Sequence, residues 1–504
     1  MGWLGQLNPT PAFPQYSGPY KVGSVDVEIP VSELQSPSPT PSVAADLPTV
    51  AFRIFYPCQP DSHQKGARWI PSPQREYISA YARFLGANNY LSHFFSLVPQ
   101  LLYYISIPIH ENARLLEPNT SNAKWPVMMF SHGLGGSRNS YSHAVGSLAS
   151  HGIVVVAPDH RDGSSPISFI HTPSEKEKIR RVEYKKVAHK ASTEVYEARD
   201  DQLRIRLWEL GLIHDAILKI EGNKALSNVA ESPKKHTDLS IFAQKLNVHQ
   251  PGAISFAGHS FGAATVVQFV KSVFYRPSSE KDSNNAIFNP SKFSSIINQI
   301  TPSTPVALLD LWGLPIQSPT TTWLRKYPMP CYNSPDGGHN LLAILSEAFY
   351  KWSPNLQETK QVVAKPSNSN PDIPGPHIFY PIASAHLSQS DFGVLFPWVT
   401  TKVFGAKEPE RVLKLNIRAI LQVLRNSGVE VADTSVEDLE LEGTTGARSV
   451  QDDRILSRKK DSVRGWITLN TDPAPGVTRK TSKGPSDAVM EGEVLGEMVH
   501  ESER

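Results

Sequence analysis

Gly258-His259-Ser260-Phe261-Gly262 lies between an apolar run, Ala253-Ile254-Ser255-Phe256-Ala257, and a small-residue stretch of helical pattern, Ala263-Ala264-Thr265-Val266-Val267. No other feature of the 504-residue chain narrows its possible folds as much. A buried strand that turns at once into a helix leaves no room for side chains on either flank of the turn, so glycine is needed there. Such a turn lifts the Ser260 hydroxyl above a sheet edge and lets the Phe261 N–H face a developing negative charge. A Gly/Ser turn between packed elements spells the same five letters. Strand before and helix after make Ser260 a candidate nucleophile.

The surroundings carry a strand–helix rhythm. Val127-Met128-Met129-Phe130 and Ile153-Val154-Val155-Val156-Ala157 read as buried parallel strands, with a helix over 140–151 between them. Val50–Tyr56 alternates like a half-buried strand. A long amphipathic helix is predicted over 201–220, strands at Val306–Asp310 and His377–Ile382, a weaker strand at Met329–Asn333, and a closing helix over 408–427. Together these predict an α/β-hydrolase fold, a mostly parallel central sheet flanked by helices, over residues 1–428. Within it, an exposed Pro/Ser-rich connector is expected near 34–48 and polar loop insertions near 172–200, 222–249 and 276–292. The charges of 172–200 read as the coat of a solvated helix. Residues 429–504 are charge-rich and aperiodic, which predicts a disordered tail; Trp466-Ile467-Thr468-Leu469 is its one candidate for local docking.

A serine hydroxyl is a poor nucleophile at neutral pH and needs an imidazole base oriented by a carboxylate. On this fold the chain order is serine, acid, histidine, which confines the search to residues after Ser260. Asp310 ends a strand among Leu308, Leu309, Leu311 and Trp312, where an unpaired carboxylate would be costly. Asp336, in the turn Ser334-Pro335-Asp336-Gly337-Gly338, follows the next predicted strand and is the rival acid. For the base, His339, His377 and His386 all lie downstream. His386 is favoured because it follows the last strand, where a loop can carry an imidazole over the elbow. The oxyanion donors would be the N–H of Phe261 and that of Leu134, in the strand-terminal loop His132-Gly133-Leu134-Gly135-Gly136. His160-Arg161-Asp162 resembles a kinase catalytic loop but lacks the accompanying glycine-rich loop and D-F-G. The histidines show no metal-ligand spacing, so neither a metal nor a cofactor is expected.

A formal charge of +2 gives no reason to expect a nucleic-acid partner. Two cysteines, Cys58 and Cys331, read as reduced thiols of an intracellular protein. The first residues show neither a basic n-region nor an apolar h-region, and Met1-Gly2 opens an incomplete myristoylation pattern with Gln6 at its sixth place. These features predict a cytoplasmic protein. Between Tyr90 and Pro108 no Asp, Glu, Lys or Arg occurs, and Phe94, Phe95, Val98, Leu101, Leu102 and Ile105 repeat near helical spacing. Pro99 and the embedded polar residues argue against a span. A core or lid helix is one reading of 90–107; an interfacial patch giving peripheral membrane contact is the other.

Nine blocks in one order carry a family resemblance: Ser17-Gly18-Pro19-Tyr20 with Val22-Gly23, Phe55-Tyr56-Pro57, Trp69-Ile70-Pro71, Phe130-Ser131-His132-Gly133-Leu134-Gly135, Leu148-Ala149-Ser150-His151-Gly152, His160-Arg161-Asp162, Gly258 through Val266, Leu309-Asp310 with Trp312, and His386 followed by Asp391-Phe392. Through them the chain resembles the plasma and type II intracellular platelet-activating-factor acetylhydrolases, calcium-independent group VII phospholipase A2 serine esterases, over about residues 15–428. The resemblance implies Ser260 as nucleophile, Asp310 as acid, His386 as base and Leu134 and Phe261 as oxyanion donors. It implies a phospholipid substrate cleaved at a short or oxidised sn-2 acyl ester. A broad carboxylesterase or lipase on the same residues is the alternative, and a non-catalytic scaffold that kept the fold the remote one. The elbow reads Gly-Ala-Ala after Phe261, where the family usually has Gly-Gly-Ala, and the insertions and the 429–504 tail have no counterpart.

Overall fold

The computed structural model describes residues 11–86, 100–172, 179–230, 238–276, 286–439, 452–460 and 462–472. Its strands are β1 (Val22–Pro30), β2 (Thr49–Pro57), β3 (His110–Glu111), β4 (Trp125–Ser131), β5 (Val154–Pro158), β6 (Ile167–His171), β7 (Ile179–Glu183), β8 (Leu246–Asn247), β9 (Ile254–His259), β10 (Val306–Leu309), β11 (Leu341–Ile344), β12 (His377–Pro381) and β13 (Trp466–Thr468). The longer helices are α1 (Gln74–Phe84), α2 (Ser142–Ser150), α3 (Thr193–Glu221), α4 (Phe261–Tyr275), α5 (Ser353–Val363) and α6 (Pro409–Asn426).

Eleven strands form one sheet in the order β13-β12-β11-β10-β9-β4-β5-β2-β1-β3, with β8 beside β4. The six from β5 to β12 run parallel, while β2, β1 and β13 are antiparallel additions at the two sides. Both faces of the parallel part are covered, which is why these strands are apolar throughout rather than alternating. Successive side chains still divide between faces. Val127 and Met129 of β4 join Val306 and Leu308 of β10 in the core under α3 and α4. Met128 and Phe130 join Ala307 and Leu309 in the opposite core, under α2 and α6. This is the doubly covered parallel architecture expected for an α/β hydrolase.

Several expectations are corrected. Met329–Asn333 is no strand: Pro330 lacks an N–H for a ladder and opens a 3₁₀ turn, and the strand beside β10 is Leu341–Ile344. Part of the 172–200 insertion is β7, paired antiparallel with β6, and α3 begins eight residues earlier than predicted, at Thr193, capped by the Ser192 hydroxyl accepting from Val195 N–H at 3.3 Å. Thr49–Pro57 is buried along its whole length because β1 covers its outer edge and helices cover both faces. The 34–48 connector is not a free strap. Pro37 packs on Gly211 of α3, and Ser36 Oγ accepts from Trp208 Nε1 at 2.8 Å.

The disordered-tail expectation fails over 429–439, 452–460 and 462–472. Trp466 pairs with Pro381 in the β13–β12 ladder and is 5 % exposed, with Ile455 and Leu456 buried beside it. Although the segment is rich in charge, burying these apolar side chains offsets the chain entropy lost. The remaining tail and Phe94, Phe95 and Val98 lie outside the described residues. Among the described residues no helix is long and apolar enough to cross a membrane.

Candidate active site

Ser260 sits at the junction of β9 and α4 with φ 57° and ψ −118°. An L-residue held there is strained by roughly 1–3 kcal/mol and needs its surroundings to fix it. Its N–H donates to Leu309 O at 2.8 Å, and its carbonyl accepts from Ala264 N–H at 3.1 Å. The flanking glycines are sterically required: a Cβ on Gly258 would lie 2.4 Å from Gly262 O, and one on Gly262 2.0 Å from Ser131 O. The elbow therefore closes only because β4 and the helix backbone approach each other without side chains between them.

Asp310 follows β10 and also has a positive φ, 43°. Its N–H donates to Ile344 O at 2.7 Å, tying the bend to β11. The side chain is fully buried; Oδ1 accepts from Ser346 N–H at 2.5 Å and Oδ2 meets His386 Nδ1 at 2.8 Å. His386 opens a short 3₁₀ turn after β12. Its ring is held between Phe349 (centroids 4.5 Å apart, 6°) and His259 (4.3 Å, 31°). Ser260, Asp310 and His386 thus all follow the carboxyl ends of parallel strands, where open α/β sheets place their ligands.

The rivals stand elsewhere. Asp336 is exposed, bonded to Ser334, and the His339 ring bonds the Asp336 backbone carbonyl at 2.9 Å. His339 precedes β11 and His377 begins β12, so both sit at the amino ends of their strands, away from the elbow. Burial pushes His377 down to about 4.

The Leu134 loop is arranged around one vacant donor. Gly133 N–H donates to Tyr141 Oη at 3.2 Å, Gly135 N–H to Ser164 O at 2.9 Å and Gly136 N–H to Gly133 O at 3.2 Å. Among the described residues the Leu134 N–H has no protein acceptor. Phe261, at the first position of α4, has an N–H that no intrahelical carbonyl reaches. Register pairing of Ser131 with Gly258 brings this loop beside the elbow.

Sequence reasoning overlooked what holds the loop there. Arg206, on α3, is fully buried; Nη1 donates to His132 O at 2.8 Å, Nε to Asp162 Oδ2 at 2.6 Å and Nη2 to Ser164 Oγ at 2.6 Å. Its guanidinium also lies 4.3 Å from the Phe261 ring centroid. His160-Arg161-Asp162 belongs to the same buttress. His160 links Ser131 Oγ at 2.9 Å to Glu209 at 2.7 Å, and burial, with the nearby Asp162 charge, raises Glu209 to about 8. Asp391, five residues past His386, anchors that loop: its carboxylate accepts from Ser142 N–H, His143 N–H and Trp69 Nε1 at 2.9–3.0 Å. The available signal was the presence of Arg206 and Glu209 inside an otherwise apolar helical stripe.

One cation-sized grouping occurs among the described residues: ligating atoms of His259, Asp310 and His386 lie within 4.8 Å of one another. Its 2.8 Å His386–Asp310 contact is a hydrogen bond already made, closer than two ligands of one zinc ion normally stand.

A sheet of this topology, with a strained serine on an elbow and a buried carboxylate–imidazole pair on the following strand ends, defines an α/β-hydrolase of the esterase type. The family described as "Platelet-activating factor acetylhydrolase, isoform II" matches residues 6–444, and the chain belongs to it. It is a carboxylic ester hydrolase. A Schizosaccharomyces pombe protein with a provisional phospholipase A2 name is 28 % identical over 83 % of this chain and 92 % of its own length. The platelet-activating factor acetylhydrolases of Cavia porcellus and Gallus gallus are 31 % and 25 % identical, over 51 % and 82 % of this chain and 51 % and 82 % of their own lengths.

Proposed function

We propose that the chain hydrolyses the sn-2 acetyl, or other short or oxidised acyl, ester of glycerophospholipids of the platelet-activating-factor type. The carrying observation is the Asp310–His386 contact at 2.8 Å on the strand ends that flank the Ser260 elbow. A carboxylate accepts and cannot donate, so the Nδ1 of neutral His386 carries the proton and Nε2 keeps its lone pair. Nε2 takes the Ser260 proton as Oγ attacks the ester carbonyl. The carbonyl electrons move to oxygen, which the Leu134 and Phe261 N–H groups receive. Collapse expels the lysophospholipid alkoxide, protonated by His386, and leaves acyl-Ser260. Water, deprotonated by the same imidazole, then releases the carboxylic acid and restores the serine.

The deciding experiment compares an sn-2 acetyl phospholipid, an aryl acetate and a long-chain phospholipid on the wild type and on Ser260→Ala. Strong preference for the first, abolished in the variant, is the expected result. Equal turnover of all three would reduce the reading to a broad esterase. The cytoplasmic setting is part of this proposal, supported by Cys58 and Cys331 being buried and unpaired. So is peripheral membrane contact through 90–107, supported by Tyr104 at 58 % exposure within the charge-free run. Unchanged liposome sedimentation of Phe94→Ser/Phe95→Ser would remove that last element.

A further inference from the structure

Tyr141 stands just before α2, buried, with its hydroxyl between the two loops of the site. The oxygen accepts from Gly133 N–H at 3.2 Å, and His259 Nδ1 lies 2.8 Å away. A phenol has one proton. With Gly133 as donor to the oxygen, the acceptor within reach of that proton is His259 Nδ1. If Nδ1 carried the hydrogen instead, two donors would meet the phenol oxygen and its O–H would be buried with nothing to receive it. An Nε2 proton makes no hydrogen bond among the described residues either, but it has a carboxylate oxygen 4.0 Å away. His259 Nδ1 therefore accepts, and its proton sits on Nε2.

That tautomer matters because of where Nε2 lies. It is 4.0 Å from Asp310 Oδ2, the same oxygen that meets His386 Nδ1 at 2.8 Å. The His259 and His386 rings lie against each other, tilted by 31°, with centroids 4.3 Å apart. No hydrogen bond forms at that distance, but the partial positive charge of an N–H beside the carboxylate oxygen is attracted to it, whereas a lone pair there would be repelled. Burial and the neighbouring His386 hold His259 well below the ordinary imidazole range. The ring beside the base therefore stays neutral when His386 takes a proton. The other end of the same hydroxyl bonds the residue before Leu134, and a Cβ on Gly133 would come within 3.0 Å of Ser260 Cβ.

We propose that Tyr141 and His259 are positioning residues of this site: one hydroxyl ties the oxyanion loop at Gly133 to the elbow at His259 and fixes the His259 proton on Nε2, facing Asp310. The inference rests on Ser260, His386 and Asp310 being the reacting set, but not on the identity of the lipid. It is therefore tested on an aryl acetate. Tyr141→Phe keeps the ring and deletes the bridge. The expected result is a fall in kcat of about tenfold or more with KM within about twofold, because both freed groups act on the transition state rather than on ground-state binding. His259→Asn can present its Oδ1 near the Nδ1 position and keep the tyrosine bond, so it should retain clearly more kcat than His259→Phe. The double variant Tyr141→Phe/His259→Phe should be little worse than the poorer single one.

Thermal midpoints and circular dichroism establish that each variant is folded. A folded Tyr141→Phe with kcat within twofold of wild type, or losses that multiply in the double variant, would overturn the proposal. If Tyr141→Phe does not fold, equal kcat in His259→Asn and His259→Phe overturns it instead. Ser260→Ala, run alongside, separates the two readings, since turnover surviving there would indict the assignment of the reacting set and not the bridge.

Discussion

Replacing Asp310 by asparagine tests the site with almost no change in shape. The carboxylate divides its oxygens between Ser346 N–H at 2.5 Å and His386 Nδ1 at 2.8 Å. An amide must present its carbonyl to the Ser346 N–H, because its NH₂ there would set donor against donor in a fully buried place, costing about 1–3 kcal/mol. The NH₂ then faces His386 Nδ1 and compels that nitrogen to accept. The imidazole proton moves to Nε2, and the base loses the lone pair that should take the Ser260 proton. The same swap in another serine-hydrolase triad lowers kcat by about 10⁴, so Asp310→Asn is expected to lose about 10³–10⁴, or roughly 4–5 kcal/mol of transition-state stabilisation. Aryl-acetate and sn-2 acetyl phospholipid turnover should fall together, with KM little changed and the thermal midpoint near wild type. Asp336→Asn, in an exposed turn, should stay within about twofold. A folded Asp310→Asn that keeps a tenth of wild-type kcat, or an equal loss in Asp336→Asn, would refute the reasoning.

Other consequences are as concrete. Arg206→Lys cannot reproduce the fork that bonds His132 O, Asp162 and Ser164, so kcat should fall about 10- to 100-fold and urea unfolding should show a loss of about 3–5 kcal/mol; a variant with both unchanged would remove the buttress argument. Trp466→Ala should cost about 3–5 kcal/mol, read from the urea midpoint, whereas a surface-like change under 0.5 kcal/mol would show that β13 is not part of the folding unit. Burial lowers His132, His143, His151 and His214 to about 4. Their unfolded forms take up protons near 6.5, so the stability they contribute is full above that pH and is lost as pH falls towards 4. Glu209, raised to about 8, and Asp391, raised to about 6, act in the opposite direction, against these four imidazoles and against His160, His259 and His377, which burial lowers as well. The urea midpoint should drop steeply between pH 6.5 and 4.5, and a flat profile would contradict the burial of those imidazoles.

Local chemistry accounts for what was legible. The elbow glycines could be read because their replacement meets backbone 2.0–2.4 Å away, a constraint written in two letters. Parallel strands buried on both faces announce themselves as continuous apolar runs, and β4, β5, β9 and β10 were found that way. Where several segments fit the same local description, the reading failed. Met329–Asn333 and Leu341–Ile344 are both short apolar runs, and only the place beside β10 selects the second. In β1, Val25, Val27 and Ile29 alternate, yet the surrounding prolines and serines masked a strand that exists because β2 offers it an edge.

The amino-acid sequence by itself pointed to the candidate nucleophile, to the order of the proposed reacting residues and to the strand–helix rhythm, since each is read from local pattern. It also specified the pool from which acid and base must come. The family resemblance favoured Asp310, but the residues read alone left Asp336 open, because the choice depends on which strand end faces the elbow; the tertiary structure shows Asp310 meeting His386. Tertiary structure alone revealed Arg206, Asp391, Tyr141 and His259 as the supports of the two loops, joining residues up to 322 positions apart. The physical reason is the same in each case. A buried polar side chain must find its partner across the core, and no spacing along the chain records which partner the packing supplies.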